Sequence, residues 1–144
     1  MADNDPNIFD RAEAIARRVL GRLGAKADKA ALSDQQTLSP REVGALTSRI
    51  EEVIEKSLVE DSRGVRRVAP NHFEILLTYE TSSRLNRQYT QALADELKAS
   101  IYEYITNRRY ETRGPIEVKT GQDLFAQSPV IKADFRTETT TGGA

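Results

Sequence analysis

The sequence contains no cysteine and only one histidine, His72, among its 144 residues. The missing thiols exclude disulfides, cysteine nucleophiles and thiolate-bound metals, and their absence fits a reducing cytoplasm. A single imidazole excludes metal sites and proton relays that pair two histidines. Because His72 stands beside a turn signal and on the wetter side of a strand, we interpret it as a structural residue.

Long apolar runs, a basic excess and a signal peptide are also missing. No run approaches the roughly 20 apolar residues that span a bilayer, so we expect no membrane span. The acidic N-terminus lacks the basic and apolar regions of a signal peptide, which favours a cytoplasmic location. The formal net charge is -1, and this balance does not favour nucleic acid or an anionic membrane as the partner.

The usual combinations of catalytic residues are absent as well. Ser82-Ser83 has no histidine or lysine at nucleophile spacing, and we interpret the pair as a helix cap. The neighbouring acids Glu51-Glu52 and Asp95-Glu96 point in different directions on their helices, so neither pair converges for acid/base chemistry. We therefore expect no catalytic residue, no metal site, no cofactor and no enzyme activity.

The composition is that of a globular protein, with 30% charged and 38% hydrophobic residues. A chain of this length favours one domain with room for a core. We expect a disordered lead over residues 1–6, a single α+β domain over 7–137, and a linker or tail over 138–144. Within the domain, the small and polar stretch 25–38 is expected to be a mobile connection.

Three segments show the apolar spacing of helices. The first runs from Ile8 to a stop at Gly24, with an arginine cluster near its end that complements the helix dipole. The second begins at Ser39, which caps a helix with proline at its first position and Glu42 three residues after the cap. The third, Ser83–Asn107, is long enough to cross a small sheet through a stripe that includes Leu93, Leu97 and Ile101.

Four short runs predict strands. Two of them flank Pro70-Asn71, a turn signal, and together they predict a β-hairpin within Val65–Glu80. Further on, Ile116–Lys119 and Val130–Arg136 predict the third and fourth strands, and the loop between them is expected to tuck its Leu124 and Phe125 against the core. The resulting order, α-α-β-β-α-β-β, predicts a four-stranded, largely antiparallel sheet with helices layered on it, an α+β fold.

The second strand of the predicted hairpin alternates strictly. A period of two separates a core face from a wetter face. The core face is expected to hold Phe73, Ile75, Leu77 and Tyr79. The wetter face is expected to hold His72, Glu74, Leu76 and Thr78.

Several motifs resemble one known family. They are Ser39-Pro40-Arg41-Glu42-Val43, Val68-Ala69-Pro70-Asn71-His72-Phe73-Glu74-Ile75, Leu93-Ala94-Asp95-Glu96-Leu97 and Gly114-Pro115-Ile116-Glu117-Val118. Over roughly Leu38 to Thr137, the chain resembles the N-terminal domain of FhaA-type bacterial proteins. In that family, this domain precedes a linker and a forkhead-associated domain that reads phosphothreonine.

The resemblance implies a non-enzymatic regulatory or scaffolding role. The implied partner is a protein, within Ser/Thr kinase signalling or cell-wall regulation. No forkhead-associated domain lies within these residues, so phosphothreonine reading is assigned to none of them. The signalling context makes the tail threonines candidate phospho-acceptors: Thr137, Thr139, Thr140 and Thr141.

Two classes of partner remain open. A protein can dock on Leu76 and Thr78 if helices cover only the Phe73 face, whereas the first helix or the connection can also fold over this surface and close it. The neighbouring strand is expected to flank the docking surface with Arg63, Arg66 and Arg67. The alternative is a KH-like RNA- or DNA-binding module that uses this arginine-rich edge.

Overall fold

A computed structural model describes residues 8–23 and 36–137. The elements are α1 (Ile8–Leu23), α2 (Pro40–Ser57), β1 (Val59–Glu60), β2 (Arg67–Val68), β3 (His72–Thr78), α3 (Tyr79–Arg84), α4 (Arg87–Asn107), β4 (Glu117–Asp123) and β5 (Val130–Asp134). The predicted lead, positions 25–35 of the predicted connection, and the predicted tail lie outside the described residues. None of the described helices is long and apolar enough to cross a bilayer.

The core lies between one face of the sheet and a layer of helices. Phe73, Ile75 and Leu77 of β3 point into it, as the alternation predicts. Helix α2 packs towards β5 and α4 packs towards β4, while α1 packs on both α2 and α4. The crossing of α1 and α2 is close, because a Cβ on Gly44 would lie 3.4 Å from the Cβ of Ala12.

The strands form two small sheets, so the predicted four-stranded sheet is wrong. A three-stranded sheet has the order β4-β3-β5, and β3 runs parallel to β4 and antiparallel to β5. The short strands β1 and β2 pair only with each other, as an antiparallel ribbon. The predicted hairpin across Pro70-Asn71 is therefore also wrong, because β2 and β3 do not pair.

Asn71 gives the physical reason for this difference. Its side chain is fully buried and donates to the carbonyl oxygens of Pro115 (3.1 Å) and Arg136 (2.9 Å). Its amide oxygen also accepts from the backbone N–H of Arg136 at 2.8 Å. The backbone N–H of Asn71 donates to the carbonyl oxygen of Asp134 at 3.0 Å, and its carbonyl oxygen accepts from the N–H of Glu117 at 2.8 Å. Asn71 is thus a clamp that joins the start of β3 to the start of β4 and the end of β5.

The helix starts differ in how well local signals predicted them. The capping box at Ser39 and Glu42 is confirmed, with both reciprocal hydrogen bonds present. The predicted cap of the long helix at Ser82 or Ser83 is wrong, because both residues lie within α3, and Asn86 caps α4 by accepting from the N–H of Tyr89. The predicted place of Tyr79 on the core face is wrong too, since Tyr79 opens α3 and is exposed.

The arginines near the end of α1 hold α4 through a buried carboxylate. Arg18 and Arg22 donate to the two oxygens of Glu96 at 2.8 and 2.6 Å. Burial opposes ionisation of Glu96, but these hydrogen bonds outweigh it and lower the pKa of its carboxyl below the usual value. The arginine cluster at the end of α1, which we interpreted from the sequence as complementing the helix dipole, therefore also joins α1 to α4.

Replacing Glu96 by glutamine is expected to cost about 1–2 kcal/mol of stability at neutral pH, after allowance for the partly exposed arginines. Because the folded pKa is lowered, the contribution of the carboxylate is present above the unfolded pKa and is lost as pH falls through the folded pKa. Urea unfolding from pH 7 to pH 3 should show the wild type and Glu96→Gln converging at low pH. The matched variant Glu103→Gln, at an exposed site on α4, should change stability by about 0.5 kcal/mol or less at neutral pH.

Candidate partner-binding surfaces

The face of the sheet opposite the helices is uncovered within the described part of the chain. We call it the open face, and it comprises His72, Glu74, Leu76, Thr78, Glu117, Lys119, Gly121, Asp123, Val130, Lys132 and Asp134. Its charged residues are exposed, apart from the partly buried Asp123, while Leu76 and Val130 are half-buried. The structure thus places the predicted residues Leu76 and Thr78 on one accessible surface.

The open face changes character from row to row along β3. Cross-strand neighbours share a face, so each row holds one residue from each strand. The first row is Glu117, His72 and Asp134, and the second row is Lys119, Glu74 and Lys132. An acidic row around the histidine is therefore followed by a lysine row around a glutamate.

The third row is apolar and centres on Leu76. Its neighbours are Gly121 on β4 and Val130 on β5. A Cβ built on Gly121 would lie 3.1 Å from the Leu76 side chain, which is tighter than most real contacts. Leu76 therefore leans across the glycine, and the absence of a side chain at position 121 lets it lie flat against the sheet.

Large exposed hydrophobic residues lie just after the carboxyl ends of β3 and β4. Thr78 and Asp123 are paired neighbours there, and Tyr79 follows the first while Leu124 and Phe125 follow the second. The side chain of Phe125 is 93% exposed, and its backbone N–H donates to Asp123. The expectation that Leu124 and Phe125 tuck against the core is wrong.

The predicted arginines lie at the other end of β3. Arg67 lies on β2, while Arg63 and Arg66 lie in the loop of the ribbon. Since β2 does not join the sheet of β3, the expectation that these arginines flank Leu76 is wrong. From His72 to Thr78, β3 spans about 20 Å. The predicted site is therefore split between the open face and a separate surface.

That separate surface, which we call the arginine end, combines the ribbon with the segment after α4. The backbone N–H of Glu111 donates to the carbonyl of Arg67 at 2.9 Å, and the N–H of Ala69 donates to the carbonyl of Glu111 at 2.8 Å. These bonds place two distant stretches side by side. The arginine end comprises Arg63, Arg66, Arg67, Arg109 and Arg113, together with the exposed Val59 and Val65.

A cluster that the sequence did not indicate borders the arginine end. The hydroxyls of Tyr104 and Tyr110 both donate to the carboxylate of Glu55, at 2.5 Å and about 3 Å. The guanidinium of Arg108 lies 4.5 Å from the centre of the Tyr104 ring. Burial and the Glu55 carboxylate raise the pKa of both tyrosines above their usual value. These hydroxyls are donors that fix the end of α4, and the segment after it, to α2.

The last positions singled out in the sequence are the candidate phospho-acceptor threonines and Ser82. Thr137 is exposed at the end of the described range, whereas Thr139, Thr140 and Thr141 lie outside it. The hydroxyl of Ser82 donates to the side chain of Gln122 at 2.7 Å and ties α3 to β4. Within residues 8–23 and 36–137, no cluster of three or more histidine, aspartate or glutamate side chains is placed to hold a metal ion.

The described residues therefore form an α+β domain with a mixed sheet that is layered by helices on one face. The chain belongs to the family of FhaA N-terminal domains, whose family model matches residues 29–127. This confirms the resemblance that the sequence motifs indicated. Most of the Val68–Ile75 motif is buried in the core or the Asn71 clamp, so this part specifies the fold, while His72 and Glu74 lie on the open face.

A solved structure, the Rv0020c N-terminal structure, has a similar fold. It superposes with a TM-score of 0.58 over 88% of this chain and 84% of that chain, at 20% sequence identity. At this identity, the likeness concerns the fold alone. No curated protein matches the chain.

Proposed function

We propose that this domain binds a protein partner on the open face, as a regulatory or scaffolding module, and catalyses no reaction. The observation that carries the proposal is the one-sided packing of the sheet. Helices α2 and α4 cover the Phe73 face, while the face with Leu76 and Val130 stays accessible in the described residues. An accessible sheet face that carries apolar residues is a reasonable docking surface for a partner.

The chemistry of the open face suits a protein surface. Its half-buried apolar row is bordered by a row that alternates lysine and glutamate, and such a combination of an apolar centre and a polar rim is typical of interfaces. Nucleic acid receives less support, because four carboxylates would face its phosphates. These carboxylates are Glu74, Glu117, Asp123 and Asp134.

The non-enzymatic part of the proposal rests on the scatter of reactive groups. His72 opens β3, whereas Ser82 lies beyond its far end in α3. Glu55, on α2, is held by the hydroxyls of Tyr104 and Tyr110. Membership of the FhaA family further supports a cytoplasmic signalling role, within Ser/Thr kinase signalling or cell-wall regulation.

Replacing Leu76 by aspartate is expected to abolish partner capture, since a carboxylate would enter the apolar row. Cross-linked pull-downs from the native cell should recover a partner with the wild type, and recovery should fall about tenfold or more with Leu76→Asp. The matched control is Tyr102→Asp, at an exposed site on α4, which should leave recovery unchanged.

Equal recovery with folded Leu76→Asp protein would remove the open face as the site. Recovery that is lost after ribonuclease treatment would transfer the function to nucleic acid. If the purified chain turned over a small-molecule substrate, the proposal that the domain catalyses no reaction would be wrong, whatever the pull-down and ribonuclease experiments show.

A further inference from the structure

The arginine end holds guanidinium groups that the fold leaves largely unused. By comparison, Arg18 and Arg22 on α1 form close bonds and donate to Glu96 at 2.8 and 2.6 Å. At the arginine end, Arg66 reaches Glu111 only at 3.6 Å and Arg63 reaches Asp61 only at 3.8 Å. No side-chain hydrogen bond from the five arginines of this end occurs among the described residues.

Arg109 is held in a conformation that an arginine rarely adopts. Its φ is 62°, in the left-handed region that favours glycine. The position directly follows the C-cap of α4 at Arg108, where glycine is the usual residue. Non-glycine residues in this region carry strain that often marks a functional site. An exposed arginine in place of glycine therefore adds a cation to the surface at a cost in stability.

The side chains beside the arginines indicate which kind of anionic ligand the arginine end can bind. Single-stranded nucleic acid needs exposed aromatic rings for base stacking, but Tyr104 and Tyr110 are engaged with Glu55. The ring of Phe135 lies beneath Arg113 at 5.5 Å. The exposed hydrophobic residues beside the arginines are instead aliphatic: Val65, at 72% exposure, and Val59. Arginine forks with aliphatic neighbours suit carboxylates that alternate with apolar side chains.

The geometry points to a second binding site at the arginine end, which takes an acidic peptide segment through Arg63, Arg66, Arg67, Arg109 and Arg113. The guanidinium groups bind carboxylates of the peptide, and Val59 and Val65 contact its apolar side chains. Two stretches of chain build the site, and their register is fixed by the backbone bonds at Glu111. This site lies beyond the amino end of β3 and does not depend on the open face.

A fluorescent peptide of alternating glutamate and leucine tests the site. Fluorescence polarisation with the full 144-residue chain should show binding at about 50 mM salt that weakens as salt is raised. The double variant Arg67→Glu/Arg109→Glu should weaken binding by about tenfold or more. The matched control, Arg17→Glu/Arg41→Glu, makes the same charge change at exposed sites on α1 and α2 and should stay within about twofold. A peptide with glutamine in place of glutamate should not bind.

Arg109→Gly separates a binding role from a structural one. Removing the strain should raise the thermal midpoint by about 2–4 °C, while loss of the guanidinium should weaken the acidic peptide several-fold. A variant that is stabilised without any loss of peptide affinity would overturn the role of Arg109. The site itself would be overturned by unchanged affinity in the double variant, by absent peptide binding at low salt, or by tighter binding of a uridine decamer than of the peptide.

Discussion

Replacing Asn71 by alanine is expected to lower the free energy of unfolding by about 3–5 kcal/mol, because several buried groups lose their partners at once. The Asn71 side chain is fully buried and makes three hydrogen bonds, two to Arg136 and one to Pro115. Alanine leaves two carbonyl oxygens and one N–H without a partner at the junction of three strands. Chemical denaturation of Asn71→Ala measures this loss directly.

Asn86→Ala is the matched control for this prediction. Asn86 is exposed and accepts one hydrogen bond, from the N–H of Tyr89 at 2.7 Å. Loss of such a helix cap costs about 1 kcal/mol. If Asn71→Ala were no more destabilising than Asn86→Ala, the clamp would not be what holds the strands together.

Replacing Leu97 by alanine is expected to destabilise the protein by about 2–5 kcal/mol, through lost burial and the cavity that remains. Leu97 is only 1% exposed and lies in the stripe of α4 that faces α2 and the sheet. Its neighbour along the helix surface, Ile101, is buried in the same cluster. Because these positions are tightly packed, the surrounding side chains relax only in part.

Leu124→Ala supplies the comparison for Leu97. Both variants remove the same atoms, but Leu124 is 59% exposed after β4, so its loss should change stability by about 0.5 kcal/mol or less. If Leu97→Ala lowered the free energy of unfolding as little as Leu124→Ala, Leu97 would not be a core residue.

The helices were predictable because their signals are local. Ser39 and Glu42 stand three residues apart, and their reciprocal hydrogen bonds need no distant partner. The stripe through Leu97 likewise follows from a period that the chain itself carries. The error at Ser83 arose because a short helix, α3, separates β3 from α4, and the cap at Asn86 lies after it.

The sheet was not predictable from turn chemistry because its pairing is non-local. Pro70-Asn71 is a valid local turn signal, but the partners of the Asn71 side chain lie 44 and 65 residues further on. One signal did point to the observed topology. A long helix between two strands is the spacing of a parallel crossover, and α4 connects β3 to β4 in this way.

The candidate surfaces were predicted in part, for the same reason. A period of two correctly separates Leu76 from Phe73, yet it does not say which strand lies beside Leu76. The neighbours proved to be Gly121 and Val130 rather than the arginines of β2. Arg67 meets the segment after α4 through Glu111, a contact that no short pattern in the sequence indicates.

The central position of β3 bears on how the chain folds as it leaves the ribosome. β3 is complete at Thr78, but its two partners begin only at Glu117 and Val130. Its apolar side chains therefore stay without strand neighbours through much of vectorial synthesis, and late non-local pairing is slow. An exposed, unpaired strand of this kind invites association between nascent chains. We expect the interval before β5 emerges to be the one in which the growing polypeptide depends most on chaperones.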